Sequence, residues 1–148
     1  RLNEIKSSGR IFFTVGNMEY LKHGGRIGKV ASVAGSLLGI KPIITLKEGE
    51  IFPSGIGRSR RKTVDKTIDL LLAYLAEEKT DIADYSICIG YGYDKEEAVE
   101  FRDRLVSRLK EKGYDIDTIP IFQIGATIGV HTGPYPLGIG VVKKSIRE

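Results

Sequence analysis

The stretch YSICIGYGYD, residues 85–94, decides the fold class. Residues 85–90 form a nearly continuous apolar run, which is the pattern of a strand in a covered sheet. Asp94 and Glu97 then form a capping-box-like start of a helix. The apolar face of that helix consists of Ala98, Phe101, Leu105 and Leu109. A buried strand followed at once by an amphipathic helix predicts an α/β domain.

The segments on either side of this unit predict a single sheet. Further strands are expected at residues 11–15, 42–46, 50–53, 115–119 and 137–142. The turn Lys47-Glu48-Gly49 joins two of them as a hairpin. Helices are expected at 18–22 after an Asn17 N-cap, more loosely at 26–39, and along an apolar stripe at 64–75. We therefore expect one two-layer α/β domain over residues 1–148, with a mixed sheet of about six strands covered by helices.

Composition excludes several classes of protein. No apolar run approaches the roughly 20 residues that a membrane-spanning helix needs. Cys88 is the only cysteine, so an internal disulfide is impossible, and the chain suits a reducing cytoplasm. We expect its thiol to be buried and inert. His23 and His131 are far apart in the sequence and have no clustered ligands, so neither a metal nor another cofactor is expected.

The beginning of the sequence predicts a fragment. The chain starts at Arg1, and its only methionine is Met18. Leu2 and Ile5 have the spacing of a helix end, which Gly9 would terminate. We expect the chain to be part of a longer protein whose first part is absent.

Two glycine-rich motifs resemble phosphate loops but match them poorly. In GGRIGK, residues 24–29, the glycine spacing is one residue too short, and Val30 stands where a magnesium-binding Ser or Thr would be needed. A helix end with Arg26 hydrogen-bonded to carbonyl groups fits better. In GYGYD, residues 90–94, Lys95 occupies the third glycine position of a dinucleotide motif, so a structural turn is favoured.

A third glycine-rich segment, IGATIGVHTGP at residues 124–134, surrounds one of the two histidines. Its glycines and proline predict a rigid loop with exposed N–H groups and the imidazole of His131 at its centre. A tight loop with a solvent-exposed histidine is the plainer alternative. No Ser-His-Asp or Cys-His arrangement can be assembled around His131, so catalytic machinery is not evident, although a hydrolase using this histidine is a minor alternative.

The basic run RSRRK, residues 58–62, is the strongest local concentration of charge. A solvated helix start explains it, and binding of phosphate-bearing ligands or nucleic acid is the alternative. The net charge of +4 is too small to indicate nucleic acid by itself. The run also has no aromatic residue beside it for base stacking.

Three motifs together resemble one family: YLKHGGRI at residues 20–27, LGIKPII at 38–44 and GVHTGP at 129–134. Their order and separation are similar to those in the C-terminal half of the DegV family, which includes the FakB subunits of fatty acid kinase. The resemblance implies a two-domain protein that encloses a long-chain fatty acid between its halves and is not itself an enzyme. It also implies that a separate ATP-dependent kinase phosphorylates the bound carboxylate. Neither a membrane span nor a nucleic-acid partner is expected.

The resemblance also implies roles for individual residues. His131 would contact the fatty-acid carboxylate, and we expect four neighbours to form the rest of this end of the site: Ile128, Gly129, Thr132 and Gly133. Other carboxylate contacts would come from the missing N-terminal domain. One of Arg58, Arg60 and Arg61 would contact the kinase or assist phosphoryl transfer. The family motif usually continues with glycine after GVHTGP, whereas this chain has Tyr135.

Overall fold

The computed structural model describes residues 2–34, 39–79 and 81–144, and a mixed six-stranded sheet lies at its centre. The strands are β1 Arg10–Thr14, β2 Lys41–Lys47, β3 Glu50–Gly57, β4 Tyr85–Tyr91, β5 Ile121–Gln123 and β6 Leu137–Lys143. The α-helices are α1 Leu2–Ile5, α2 Glu19–His23, α3 Ala31–Ala34, α4 Arg60–Glu78, α5 Lys95–Glu111 and α6 Ala126–Thr132. Short 3-10 turns lie at Lys6–Ser8, Gly28–Val30 and Ile82–Asp84. The predicted α/β class with a mixed sheet is confirmed.

The strand order is β3-β2-β1-β6-β4-β5. Every neighbouring pair is antiparallel except β4 and β5, which α5 connects as a parallel crossover. The predicted hairpin is the β2–β3 pair. Its two turn residues, Glu48 and Gly49, have φ angles of 51° and 81°, and positive φ at both positions matches the right-handed twist of the flanking strands.

The main core lies between one face of the sheet and helices α4 and α5. Alternate residues of β4, beginning with Tyr85 and Ile87, point into it. The two predicted apolar helix faces are also buried there, and Phe101 at the centre of α5 is completely inaccessible to solvent. The predicted helix start is confirmed as well, since Oδ1 of Asp94 accepts a hydrogen bond of 2.9 Å from the backbone N–H of Glu97.

The opposite face of the sheet is covered only in part. Near the end of β1 and the start of β2, a small second core forms where α2 and the Gly28–Val30 turn pack on the sheet, and it contains Val15, Leu21, Val30 and Ile44. We refer to the remainder of this face as the open face. The predicted looser helix at 26–39 is found as the Gly28–Val30 turn and α3, while residues 35–38 lie outside the described residues.

Three predictions of local secondary structure were wrong. Residues 115–119 do not form a strand, because Asp115 and Asp117 are exposed and the chain pairs with β4 only from Pro120 onward. The segment around His131 is mostly the helix α6 and not a loop. Asn17 lies one position before the N-cap of α2, although its Oδ1 still accepts a hydrogen bond from the N–H of Glu19 at 3.0 Å.

Candidate functional site

Helices α2 and α6 lie together at one end of the sheet. Thr14, the last residue of β1, pairs with Leu137, the first residue of β6. Because α2 follows β1 and α6 precedes β6, this pairing places the two helices side by side, and they are in contact. Helix α6 ends at Gly133, where φ is 75°, a conformation that favours glycine.

His131 lies near the end of α6, and its side chain is half-buried. Its Nδ1 atom is fully buried and has no hydrogen-bond partner among the described residues. Leaving such an atom unpaired costs about 1–3 kcal/mol. The ring packs directly on Gly24 at the end of α2, where a Cβ atom would collide with Nδ1. His131 is therefore held by contact with α2 and is not the freely exposed histidine of the plainer alternative.

The other residues predicted at the carboxylate end occupy different environments. Thr132 is buried, and its hydroxyl donates a hydrogen bond of 3.2 Å to the carbonyl of Ile128. Gly133 packs on the ring of Tyr20. Gly129 has open space beside it, and the Ile128 side chain is 54% exposed. The structure thus leaves His131, Gly129 and Ile128 accessible at this end of the domain, while the Thr132 hydroxyl is already used within α6.

The three arginines of the basic run separate into two groups. Arg58 and Arg61 are exposed. Arg60 instead forms a two-point ion pair with Glu97 of α5, with Nε and Nη2 each 2.8 Å from a carboxylate oxygen. Its remaining nitrogen, Nη1, is buried and has no partner among the described residues. The ion pair neutralises part of the predicted basic run.

Arg60 and Tyr135 line the same polar pocket, which has a volume of about 340 Å³. Tyr135 lies over Gly16 and makes an edge-to-face contact with Tyr93, with ring centroids 6.3 Å apart. The structure therefore brings the start of α4 close to the segment that follows His131. This proximity could not be inferred from sequence spacing.

Neither rejected phosphate motif has the surroundings of a phosphate loop. Nη1 of Arg26 donates to the carbonyl of Gly24 at 2.8 Å, as predicted. Lys29 is paired with Glu50 at 2.6 Å. Gly92 lies against Pro134 and Pro136, where a Cβ atom would collide with the backbone. The glycines at 24 and 92 therefore permit close packing around the His131 segment, a role that the sequence motifs did not reveal.

An apolar groove of about 900 Å³ lies on the open face. Its apolar lining includes Ile11, Leu46, Phe122, Val141 and Val142. The groove lies at the start of β1 and the end of β6, whereas His131 precedes the start of β6. The groove and the imidazole are therefore at opposite ends of the same strands, so the groove alone does not form a pocket around His131.

Cys88 is half-buried and lines this groove. The thiol is only half-buried and not buried as predicted, because Ile87 and Ile89 point into the core and the alternation of β4 turns Cys88 to the open face. Burial still raises the pKa of the Cys88 thiol, with a smaller opposing effect of a backbone hydrogen bond from Gly140. The thiol is therefore weakly reactive at neutral pH.

Within the described ranges, none of the helices has both the length and the apolar character that crossing a membrane requires.

Comparison with known proteins gives a consistent result. The chain is 45% identical to a stearic-acid-binding protein from Eubacterium ventriosum, with a TM-score of 0.86 over 97% of this chain and 47% of that one. A DegV family protein from Thermus thermophilus, described by its fatty-acid binding, is 28% identical with a TM-score of 0.77, over 93% of this chain and 46% of that one.

A DegV domain-containing protein of Clostridium perfringens is 35% identical over 147 residues, which cover 97% of this chain and 48% of the relative. The chain thus spans about half the length of the relatives that it matches. The family model described as "Uncharacterised protein, DegV family" matches residues 1–144. The chain belongs to the DegV family.

Proposed function

We propose that this chain is the C-terminal half of a two-domain protein that binds one long-chain fatty acid in the cytoplasm. The observation that carries the proposal is its likeness, at 45% identity and a TM-score of 0.86, to a protein described as binding stearic acid. The open sheet face, with its apolar groove, and the half-buried imidazole of His131 provide the two kinds of surface that an amphipathic ligand needs.

In this proposal, His131 binds the carboxylate. Burial of Nδ1 leaves Nε2 as the ring nitrogen that can donate a hydrogen bond to the ligand. Backbone groups near Gly129 lie on the same short helix, and the exposed side chain of Ile128 adds apolar surface beside the head group. The missing N-terminal domain would supply the remaining polar contacts and close the site.

The open face accommodates the acyl chain. Burying each methylene group contributes about 0.8 kcal/mol, so a long chain gains most of its affinity from apolar surface. The groove between Ile11, Phe122 and Val142 is such an apolar surface. It lies at the far end of the strands from His131, so an acyl chain anchored at His131 would extend along the strands to reach it. Ile27 and Val30 cover the neighbouring part of the same face.

We further propose that the protein is a carrier and not an enzyme. A separate ATP-dependent fatty acid kinase would transfer the γ-phosphoryl group of ATP to the bound carboxylate, giving an acyl phosphate and ADP. The exposed guanidinium groups of Arg58 and Arg61 are available for that partner, whereas Arg60 is engaged with Glu97.

Mass spectrometry of the denatured full-length protein tests the binding proposal directly. A fatty acid is expected among the released molecules. If protein produced in a lipid-replete host released no fatty acid, the binding proposal would be contradicted.

Cys88 offers a specific test of where the acyl chain lies. Stearate bound to the full-length protein is expected to slow alkylation of the Cys88 thiol several-fold, because the chain would cover the groove that the thiol lines. The rate is measured with iodoacetamide at mildly alkaline pH, since the raised pKa keeps the thiol protonated at neutral pH. Denatured protein, in which stearate should have no effect, is the control. An unchanged alkylation rate in protein shown to contain stearate would mean that the acyl chain does not lie in the groove.

The kinase contact has its own test. Arg58→Ala and Arg61→Ala are each expected to slow acyl phosphate formation by the partner kinase while leaving stearate affinity unchanged, because exposed charges mainly accelerate association. The loss should shrink as salt is added. Lys110→Ala, which removes an exposed charge at the end of α5, is the matched control. Equal rates for both arginine variants and the control would contradict a contact at this site.

A further inference from the structure

We propose that Gly24 is a positioning residue for His131: its lack of a side chain allows the imidazole to lie with Nδ1 buried and Nε2 directed to the ligand. The inference rests on the proposed binding of a fatty-acid carboxylate at His131. It concerns a contact between α2 and α6 that joins two separate sequence motifs. The argument depends on which atoms around Gly24 are able to move.

The backbone of Gly24 is firmly held. Its N–H donates to the carbonyl of Tyr20 at 2.9 Å, and its own carbonyl accepts a hydrogen bond of 2.8 Å from Nη1 of Arg26. Its φ and ψ angles are −76° and −1°, which an alanine adopts without strain. Conformational freedom therefore does not explain why a glycine is needed here. The space around its missing side chain does.

A Cβ atom on residue 24 would lie very close to two residues, His131 and Tyr20. It would collide with Nδ1 of His131, and it would lie 3.1 Å from the carbonyl oxygen of Tyr20 and 3.2 Å from Cε1 of the imidazole. The Tyr20 carbonyl belongs to the backbone of α2, so the imidazole is the only one of these groups that can move easily. An alanine at position 24 would thus displace the ring and leave the helix in place.

The end of α6 is anchored by the segment that follows it, because the Pro134 carbonyl accepts a backbone hydrogen bond of 2.8 Å from the N–H of Tyr93. Gly133, which ends α6, lies against the ring of Tyr20, and a Cβ atom there would be 2.5 Å from that ring. The end of α6 therefore lies in contact with α2 at two residues, Tyr20 and Gly24. Under this constraint the ring orientation is set by residue 24. Since hydrogen bonds weaken steeply as their angle departs from linear, a displaced ring would bind a carboxylate poorly.

The test compares four variants of the full-length protein: Gly24→Ala, His131→Ala, the double variant and Gly125→Ala. Gly125 is the control glycine, because its φ is −68° and a Cβ atom there meets open space. Affinities are measured for stearate and for stearyl alcohol, which has the same chain without the carboxylate. Thermal unfolding is recorded for each variant.

We expect Gly24→Ala to lower stearate affinity roughly tenfold or more, as for loss of a hydrogen bond to a charged group. Stearyl alcohol affinity and thermal stability should stay at the level of the Gly125→Ala control. The substitution should cause no additional loss in the His131→Ala background, since the ring that it displaces is already absent. A loss of equal size in that background, or unchanged stearate affinity, would overturn the proposal.

A second measurement separates this inference from the proposed function. In the ligand-free protein, the ring nitrogen resonances of His131 should differ between wild type and Gly24→Ala and be unchanged in Gly125→Ala. If Gly24→Ala altered these resonances in a protein that binds no fatty acid, the contact between Gly24 and His131 would be supported and the proposed fatty-acid function would be rejected. Unaltered resonances in a protein that binds stearate would reject the positioning role and retain the function.

Discussion

Replacing His131 with alanine in the full-length protein is expected to lower its affinity for stearate by roughly ten- to a hundredfold. A hydrogen bond to a charged group contributes about 1.5–3 kcal/mol, and His131 is the residue of this chain that we assign to the carboxylate. Stearyl alcohol should bind almost as well to the variant as to the wild type. Isothermal titration with both ligands measures the difference.

His23→Ala is the matched control, since His23 is the other histidine, is exposed and ends the helix that contacts α6. Thermal stability of the His131→Ala protein should change little, because the loss of packing on Gly24 is offset by removal of an unpaired buried nitrogen. An equal loss of affinity for stearate and stearyl alcohol, accompanied by a lower melting temperature, would mean that His131 is structural.

The second large effect is expected for Gly92→Ala, which should destabilise the protein by about 2 kcal/mol or more. A Cβ atom at residue 92 would collide with the backbone of Pro134 and lie 2.6 Å from Cδ of Pro136. The carbonyl of Pro136 accepts a backbone hydrogen bond of 3.0 Å from Gly92, and the carbonyl of Pro134 accepts one of 2.8 Å from Tyr93. The segment therefore has to move away from the end of β4 and lose these bonds. Urea denaturation followed by circular dichroism measures the change.

Gly90→Ala provides the control, because Gly90 lies two residues earlier, within β4, and a Cβ atom there would meet only the Ile124 side chain, at an ordinary contact distance of 3.4 Å. That variant should unfold at nearly the wild-type urea concentration. If the two variants were equally stable, the close contact between Gly92 and the proline segment would not exist in solution. Because this segment directly follows His131, Gly92→Ala should also weaken stearate binding.

Local pattern predicted most of the fold correctly. The apolar stripes of α4 and α5 and the alternating residues of β4 show in their spacing which side is buried. The hairpin turn at Glu48-Gly49 and the Asp94 cap are short-range features whose hydrogen bonds and φ angles depend on neighbouring residues. Such features need no knowledge of the rest of the chain.

Prediction failed where distant parts of the chain compete for the same segment. The apolar residues between 115 and 119 suggested a strand, yet pairing with β4 begins only after Ile119, so β5 is short and lies further along. The glycines between 124 and 134 suggested a loop, although α2 and the end of β4 support a helix there. The Cys88 thiol was expected to be buried, and only the position of the helices shows which side of β4 the main core occupies.

The sequence by itself determined the α/β class, the presence and buried faces of the main helices, the family resemblance and the prediction of His131 as a site residue, because each depends on residue type and short spacing. Only the tertiary structure decided what surrounds that histidine. The burial of Nδ1, its contact with Gly24 and the position of Gly92 against Pro134 join residues that are distant in the chain. Their proximity follows from strand order and helix packing, which local periodicity does not encode.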